Sequence, residues 1–333
     1  MAARLCCFVS CSYLDDANIP HGQTKTLTDR NHRVDNKHRS HQNFEPDQTT
    51  LDLSSFKFNQ QHIEVKPLSN RLENKVALIT GGTSGIGEAT AELFVNEGAR
   101  VVIVGRSQQK GEEIAHRLGS HAHFALADVT READIKQAVD ITLEKFGQLD
   151  VLFNNAGGPA GGPDLLETVN SEQIDRGVRL LLSSVMLGIR YAIAPMKARG
   201  GGCIINNSSI AALRSHQGDL LYSALKAAVT HYTQLAGVEL GPHNIRVNAI
   251  SPGAIATPIF WGGSARANTL SDEENAQKLE KLKTNLSHAT PLPSAGLAED
   301  VAEAALFLAS DAGRFVNCHD LVVDGGRIAV FKD

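Results

Sequence analysis

Short apolar runs alternate with amphipathic stretches from Lys75 almost to the C-terminus. The runs are rich in Val, Ile and Leu without polar alternation, which is typical of strands buried on both faces. The predicted strands cover 76–79, 99–104, 123–126, 149–153, 202–206, 245–250 and 321–323. Helical spacing of apolar residues predicts helices after Gly87 and over 107–118, 134–146, 172–199, 222–240 and 298–309. This alternation predicts an α/β fold, a single Rossmann-type doubly wound parallel sheet of about seven strands with helices on both faces.

The first part of the chain has a different composition. It is rich in His, Asn, Gln, Asp and Lys and shows no sustained apolar period, so it cannot bury enough surface to offset chain entropy. We therefore expect residues 1–70 to form a disordered extension before a catalytic domain over 71–333. The first residues resemble a signal start, but the apolar run is too short and Asp15 and Asp16 follow it. An organelle address and an extended start of the reading frame both stay open.

Composition and charge narrow the class of partner. The chain is 42% hydrophobic and 21% charged, which is typical of a soluble globular protein. Its net charge of -5 leaves no basic footprint for nucleic acid. No uninterrupted apolar run reaches the roughly 18 residues of a membrane span. Cys203 and Cys318, the cysteines in the part predicted to fold, match no disulfide or metal pattern, which favours a reducing, cytoplasmic location.

A glycine turn follows the first predicted strand and leads directly into a helix. Gly81 allows a tight turn, Gly85 lets a pyrophosphate approach the backbone, and Gly87 permits close packing of helix and strand. Taken alone, such a turn can join any strand to any helix. However, the stretches 154–157 and 207–209 also follow strands, and ligands of parallel sheets bind beyond those carboxyl ends. The shared location predicts a nucleotide site.

A tyrosine and a lysine lie four residues apart on a predicted helix. Tyr222 and Lys226 therefore share a face, and an ammonium beside a phenol lowers a pKa that starts near 10. Such a tyrosine is suited to general acid–base catalysis near neutral pH. Ser209, just past a strand end, is placed to hold a substrate carbonyl. Tyrosine and lysine also occur together on exposed helices, so the pair alone does not establish a site.

Together these motifs resemble the compact branch of the short-chain dehydrogenase/reductase family. The resemblance covers about 72–330 and rests on residues 80–87, 128–129, 154–157, 209, 222–226, 248, 251–257 and 324–326. It implies an NAD(P)-dependent oxidoreductase that transfers a hydride between a nicotinamide cofactor and a secondary alcohol or ketone. It also implies that Tyr222 is the acid–base, that Ser209 orients the carbonyl, and that Lys226 binds the nicotinamide ribose. Members are mostly homotetramers or homodimers.

The same resemblance implies a set of cofactor-binding residues. Asp128 and Val129 flank the adenine, and Pro252, Gly253 and Thr257 lie by the nicotinamide amide. The full set is Gly81, Thr83, Ser84, Gly85, Ile86, Gly87, Arg106, Asp128, Val129, Asn155, Ala156, Gly157, Tyr222, Lys226, Pro252, Gly253 and Thr257. No metal is expected.

One departure from the family pattern concerns proton transfer. The family usually has an asparagine in the helix after the fourth strand, on a water-linked relay to the lysine. No asparagine lies between Asn170 and Asn206, and Leu181 is the best match. Either Ser183 or Ser184 or an altered water path substitutes, or catalysis is weakened. The alternative functions are a cofactor-binding sensor or scaffold with little catalysis and, less favoured, an epimerase on this fold.

The end of the second strand carries information on the cofactor. Enzymes that use NAD usually place an acidic residue there, whereas this chain has Gly105 and Arg106 and no acid between Glu97 and Glu112. A guanidinium can bind a 2′-phosphate through two N–H groups. We therefore expect NADP(H) rather than NAD(H), unless Arg106 only stacks or faces solvent.

The most individual part of the chain is a predicted lid over about 257–297. Phe260 and Trp261 lie at its start, and Ser271 with Glu274 makes a capping box before a helix. Together with Leu213 and Leu220 near Ser209, the two aromatic residues predict a largely apolar pocket. A small apolar alcohol or ketone, such as a terpenoid, a steroid or an acyl chain, would fit. Alternatively, Trp261 only packs the lid onto the body.

Overall fold

The chain was analysed as a computed structural model, which describes residues 70–159 and 166–330. Its centre is a seven-stranded sheet in the order β3-β2-β1-β4-β5-β6-β7, in which every neighbouring pair is parallel. The strands are β1 Val76–Thr80, β2 Arg100–Gly105, β3 Ala122–Leu126, β4 Val151–Asn154, β5 Gly202–Asn207, β6 Ile245–Pro252 and β7 Asp320–Val323. The predicted fold class is confirmed. The disorder predicted for the N-terminal extension concerns residues 1–69, which lie outside the described residues.

Helices connect the strands as the apolar spacing predicts. They are α1 Gly85–Asn96, α2 Gln108–Leu118, α3 Glu132–Phe146, α4 Ser171–Val178, α5 Ser184–Ala198, α6 Leu220–Leu240, α7 Gly263–Ala267, α8 Asp272–Leu286 and α9 Ala298–Ala309. The helix predicted over 172–199 is interrupted, because a π-helical turn, Arg179–Ser183, separates α4 from α5. Strand β6 extends further than predicted, since Ser251 and Pro252 pair with Val322 and Val323 of β7.

The sheet is covered on both faces because its strands are apolar at consecutive positions. Leu78 and Ile79 of β1 point to opposite faces, as neighbouring residues of a strand do. Ile79 packs in a core cluster with Phe94 of α1 and Leu306 of α9. Leu78 belongs to the other cluster, with Ile189 of α5. Each face therefore has its own apolar core, and polar groups concentrate at the strand ends.

The order of the strands reverses direction between β1 and β4. From β1 the chain proceeds outward through β2 and β3, and it then returns to β4 on the other side of β1. The connections on the two sides diverge, which leaves a crevice beyond the carboxyl ends of β1 and β4. The glycine turn and the stretches after β4 and β5 meet there.

Within residues 70–159 and 166–330, one helical span, Ser171–Ala198, is long and apolar enough to cross a membrane by length and composition. The expectation of no membrane span rested on uninterrupted apolar runs, which is a stricter test than mean hydropathy over a window. Core helices of soluble proteins pass the same length and composition test. Here Val185, Ile189 and Ala192 of this span are buried in a core cluster with residues of the sheet. Part of the apolar character of the span therefore serves the core of the domain.

Candidate active site

The glycine turn adopts the backbone conformation that a phosphate site requires. Gly81 and Gly85 have φ values of +66° and +53°, in the left-handed region that favours glycine. A Cβ atom at Gly81 would lie 2.8 Å from the Cα of Ala156, so this position also needs a residue without a side chain. Helix α1 begins at Gly85, and its N-cap residue Ser84 makes no side-chain capping bond. The amides of the first turn are thus left for an anion, and the site fits a dinucleotide pyrophosphate.

Side-chain hydrogen bonds hold three strand ends together beneath this turn. The Thr80 hydroxyl accepts the backbone N–H groups of Asn155 and Ala156, each at 3.0 Å. The Asn155 amide donates to the carbonyls of Thr80 and Gly81, at 3.0 and 3.2 Å. Asn207 at the end of β5 donates to the Asn155 side-chain oxygen at 2.9 Å. These bonds show how Asn155 could support the cofactor site, as predicted. Thr80 and Asn207 belong to the predicted strand-end motifs, but their bonds to Asn155 were not predicted from the sequence.

Tyr222 and Ser209 form the reactive end of the site. Ser209 lies just beyond β5, where its hydroxyl accepts the backbone N–H of Ala211 at 3.1 Å and lies close enough to the Tyr222 phenol to affect its pKa. Asp219, the N-cap of α6, accepts the backbone N–H of Tyr222 at 2.7 Å and so fixes the first turn that carries the tyrosine. The Ser209 and Tyr222 hydroxyls therefore lie near each other at one end of the crevice.

The pKa of Tyr222 differs from the sequence expectation. Burial raises it above its ordinary value; the Ser209 hydrogen bond lowers it and the Asp219 charge raises it further, and the net direction is upward. The expected lowering of this pKa by Lys226 is wrong. The physical reason is that desolvation penalises the tyrosinate more strongly than the neighbouring groups stabilise it.

Lys226 lies one helical turn after Tyr222 and is only 4% exposed. Its ammonium donates to the backbone carbonyl of Asn207 at 2.6 Å and stands 5.6 Å from the centre of the Tyr222 ring. It forms no ion pair with any residue that the structure describes. Burial lowers its pKa to about 8, because an unpaired charge is poorly solvated there.

The residue that departs from the family pattern also borders Lys226. Leu181 is buried in the π-helical turn, and its side chain lies 3.5 Å from the position that a Cβ atom would occupy at Gly157. The Lys226 ammonium lies 3.9 Å from that same position. The Ser184 hydroxyl donates to the backbone carbonyl of Leu180 at 2.6 Å, within its own helix. Because the Ser184 hydroxyl proton is used in that bond, it is not free for the relay role considered above for Ser184 in place of the asparagine.

An exposed cation, Arg106, lies at the predicted adenine end of the crevice. Arg106 follows β2, is exposed, and makes no hydrogen bond or ion pair with the described residues. Asp128 accepts the N–H and hydroxyl of Thr130 at 2.9 and 2.8 Å. Burial raises the pKa of Asp128, but the Thr130 hydrogen bonds and the Arg106 and Arg131 charges outweigh it and lower the pKa overall. Asp128 is therefore held as a carboxylate near the place predicted for the adenine.

The stretch after β6 closes the other end of the crevice. Thr257 is buried, and its side-chain carbons lie 3.3 Å from where a Cβ atom would stand at Gly85. Gly253 packs against Asp324, whose Cβ would be 2.7 Å from a Cβ added at Gly253. The structure thus brings Thr257 against the glycine turn and Gly253 against the C-terminal turn at Asp324.

Exposed apolar side chains occur in the segment after Ser209, at the start of α6 and at the start of the predicted lid. Leu213, Leu220 and Phe260 are 45%, 47% and 51% exposed. Trp261 is half-buried, and its indole N–H donates to Asn275 of α8 at 3.3 Å. That hydrogen bond joins two parts of the lid, so it does not support packing of Trp261 onto the body of the domain.

Comparisons with known proteins agree with this geometry. A family model described as enoyl-(acyl carrier protein) reductase matches residues 81–327. Momilactone A synthase from Oryza sativa subsp. japonica is 40% identical over 265 residues, which are 79% of this chain and 93% of that protein. The chain belongs to the short-chain dehydrogenase/reductase family. Another relative, (+)-borneol dehydrogenase 2 from Salvia officinalis, is 38% identical over 77% of this chain and 90% of that protein.

A solved member of this family shows the same architecture. The crystal structure of 3-ketoacyl-(acyl-carrier-protein) reductase from Brucella melitensis complexed with NADH has a TM-score of 0.67 and 35% identity, covering 77% of this chain and 98% of that one. The chain is accordingly an NAD(P)-dependent oxidoreductase that acts on alcohol and ketone groups. The comparisons give the sensor alternative no support. Within 70–159 and 166–330, no group of three or more His, Cys, Asp or Glu residues is arranged to hold a metal.

Proposed function

We propose that this dehydrogenase/reductase interconverts a secondary alcohol and a ketone on a compact apolar frame and uses NADP(H). The observation that carries the proposal is the proximity of the Ser209 and Tyr222 hydroxyls one helical turn from buried Lys226, with exposed apolar side chains in the adjoining segments. A carbonyl oxygen at the two hydroxyls would place the rest of an apolar substrate against that surface.

Each of the three polar residues has a distinct role in this proposal. The nicotinamide, when bound, supplies or accepts the hydride. Tyr222 donates or removes the proton at the substrate oxygen, since its hydroxyl is the acid–base group at the opening. Ser209 orients that oxygen by hydrogen bonding. Lys226 holds the ribose and, in its charged form, stabilises the tyrosinate.

The names of the relatives support the apolar frame. Borneol, named in one of them, is a secondary alcohol on a bicyclic hydrocarbon, and momilactone A synthase is named for a terpenoid product. Leu213, Leu220 and Phe260 provide the surface that such a skeleton would cover. We propose that this chain takes a molecule of that class, with a steroid or an acyl chain as the other members of the panel below.

The test is an activity assay on a panel of cyclic terpenoid alcohols, steroid alcohols and β-ketoacyl thioesters. Turnover is monitored through the absorbance of the reduced nicotinamide. We expect turnover of at least one cyclic alcohol or its ketone. Binding of NADP(H) without turnover across the whole panel would contradict the proposal and return the sensor alternative to consideration.

The preference for NADP(H) rests on Arg106. Its guanidinium is exposed beside the predicted adenine site, and there is no acidic residue at the end of β2 to hold a ribose 2′-hydroxyl. We expect a lower KM for NADP(H) than for NAD(H), and Arg106→Ala should remove the difference. Arg131→Ala is the matched control, because Arg131 is also exposed and also acts on Asp128. A wild-type preference for NAD(H) would contradict the assignment.

The cytoplasmic location and the homotetrameric or homodimeric assembly stay predictions. Size-exclusion chromatography with light scattering would give the oligomeric state of the full chain. Imaging of a C-terminally tagged full chain would give the location, and import into an organelle would contradict the first prediction.

A further inference from the structure

Three segments outside the catalytic constellation meet at two arginine side chains. They are the loop 213–219 that leads into α6, the end of the lid at 289–292, and a C-terminal turn over 324–330. The three segments are far apart in the sequence. Hydrogen bonds from the two arginine side chains connect them. We call this arrangement the arginine clamp.

Arg327 forms one half of the clamp. Its Nε atom donates to the side-chain oxygen of Gln217 in the loop at 2.7 Å, and its Nη1 atom donates to the backbone carbonyl of Ala289 in the lid at 3.3 Å. The planar guanidinium directs these N–H groups in fixed, different directions, which a lysine ammonium on a flexible stem does not. One side chain thus connects the loop to the lid.

Arg214 forms the other half from the loop side. Its Nη1 atom donates to the backbone carbonyls of Arg327 at 3.3 Å and of Ile328 at 3.0 Å, and also to that of Val330. The C-terminal turn that supplies these carbonyls is itself held by Asp324, whose carboxylate accepts the N–H groups of Gly326 and Ile328 at 2.7 and 2.8 Å. The turn is a fixed platform for the loop.

The lid rests on the same turn. The backbone N–H of Leu292 donates to the carbonyl of Gly325 at 3.3 Å. Gly325 and Gly326 have φ values of +62° and +85°, and Cβ atoms there would stand 3.1 Å from the Thr290 hydroxyl and 3.2 Å from the Pro291 ring. Close approach of the turn to the lid therefore requires both glycines.

The loop acts directly on the catalytic tyrosine. A Cβ atom at Gly218 would lie 2.9 Å from the Tyr222 ring, so the loop backbone packs against that ring. The next residue, Asp219, caps α6 by accepting the Tyr222 N–H. A shift of the loop at Gln217 would consequently move the wall of the substrate site beside Tyr222.

From this geometry we propose that Arg327, assisted by Arg214, is a positioning residue that holds the lid and the Tyr222 loop at a fixed separation and so sets substrate affinity. The inference rests on the proposed function only in that the substrate is the alcohol or ketone proposed above. The hydrogen bonds of Arg327 and Arg214 described above go to the loop, the lid and the C-terminal turn, and none of them goes to Ser209, Tyr222, Lys226 or the glycine turn. Its loss should therefore affect substrate binding more than the chemical step or the binding of the cofactor.

The experiment compares wild type with Arg327→Leu, Arg327→Lys and Gln217→Leu, all saturated with NADP⁺. Amide hydrogen exchange is measured over 213–219 and 283–292, a readout that needs no substrate. We expect exchange to rise at least about threefold in both segments for Arg327→Leu and Gln217→Leu, and less for Arg327→Lys. Arg190→Leu is the control, since it removes an exposed ion pair with Glu132 and a contact with the Tyr191 ring, and neither partner belongs to the three segments.

Steady-state kinetics supply the second readout on the best alcohol of the panel. Arg327→Leu should raise the KM about tenfold while kcat and the Kd of NADP⁺ stay within about threefold. If the panel yields no substrate, the exchange measurement still decides the inference. Unchanged exchange in either segment, or a fall in kcat with an unchanged KM, would overturn it. Gln217→Leu keeps the inference testable if Arg327→Leu does not fold, because it removes the same bond from the loop.

Discussion

The two sides of the active-site crevice are built in different ways. On the cofactor side, backbone atoms in fixed conformations and buried side chains form the site: Gly81 at φ +66°, the Thr80–Asn155 hydrogen bonds, and Lys226 at 4% exposure. On the substrate side, half-exposed apolar side chains and a clamp of side-chain hydrogen bonds form the site. The cofactor is common to the family, while the substrate is individual to each member.

This difference means that similar substitutions on the two sides should have different effects on stability and on ligand affinity. A change on the proposed cofactor side disturbs packing at the strand ends, because the glycine turn proposed for the phosphates is itself held against the residues that follow β4. A change on the substrate side meets solvent and alters affinity without altering the fold. The predictions below test that contrast.

Gly81→Ala should have the largest effect on the cofactor side. A left-handed conformation costs a residue with a Cβ atom about 1–2 kcal/mol, and the added atom would stand 2.8 Å from the Cα of Ala156. The turn must therefore move, and we expect the Kd of NADP⁺, measured by calorimetry, to rise at least about 30-fold.

Gly147→Ala is the matched control for that substitution. Gly147 has φ +76°, so the backbone strain is similar, but no atom lies within 4 Å of its Cβ position. It should destabilise the protein by about 1 kcal/mol and leave the Kd unchanged. Equal Kd values for the two variants would contradict the assignment of the glycine turn to the pyrophosphate.

Lys226→Met tests whether catalysis is maintained at the expense of stability on this side. Burial lowers the pKa of Lys226 to about 8, so the folded protein binds fewer protons than the unfolded chain between pH 8 and the ordinary lysine pKa. The charged Lys226 destabilises the folded protein fully below pH 8, and this destabilisation disappears as the pH rises from 8 to the ordinary lysine pKa. We expect Lys226→Met to raise the free energy of unfolding without cofactor by roughly 1–2 kcal/mol at pH 7.

The measurement is urea unfolding of wild type and variant at pH 7 and pH 10. The difference between the two proteins should shrink at the higher pH, because wild-type Lys226 is then neutral in the folded state. A variant that is less stable than wild type at pH 7, or a difference that does not change with pH, would show that Lys226 is not destabilising.

Phe260→Ala should have the smallest effect on the fold, since the side chain is 51% exposed. We expect the free energy of unfolding to change by less than about 0.5 kcal/mol. The KM of the best alcohol should rise about three- to tenfold, because the ring would cover the bound apolar skeleton. Phe315→Ala is the control, as Phe315 is 94% exposed and follows the end of α9. Equal KM changes in the two variants would remove Phe260 from the substrate surface.

Sequence patterns predict the cofactor side well for a physical reason. Runs such as Val76–Ile79 and the turn at Gly81 and Gly85 obey local rules of strand burial and backbone conformation. The Tyr222–Lys226 pair follows from helical spacing. These features depend on residues close together in the chain, and the structure places them as expected.

Features that depend on distant residues could not be predicted. The Asn207 bonds to Asn155 and Lys226 require knowledge of the strand order, and the bond from Arg327 to Gln217 crosses 110 residues. The direction of the Tyr222 pKa also depends on burial, which the spacing of Tyr222 and Lys226 does not reveal. Asp219 is the exception, since an acidic residue just before α6 is a readable N-cap signal.

The central claim is that the Tyr222 hydroxyl carries the proton in hydride transfer, and Tyr222→Phe tests it most directly. The change removes one hydroxyl and keeps the ring that packs against Gly218. On the best alcohol of the panel we predict that kcat falls at least about 100-fold, while the Kd of NADP⁺ stays within about threefold. Turnover within tenfold of wild type at an unchanged Kd would contradict the account.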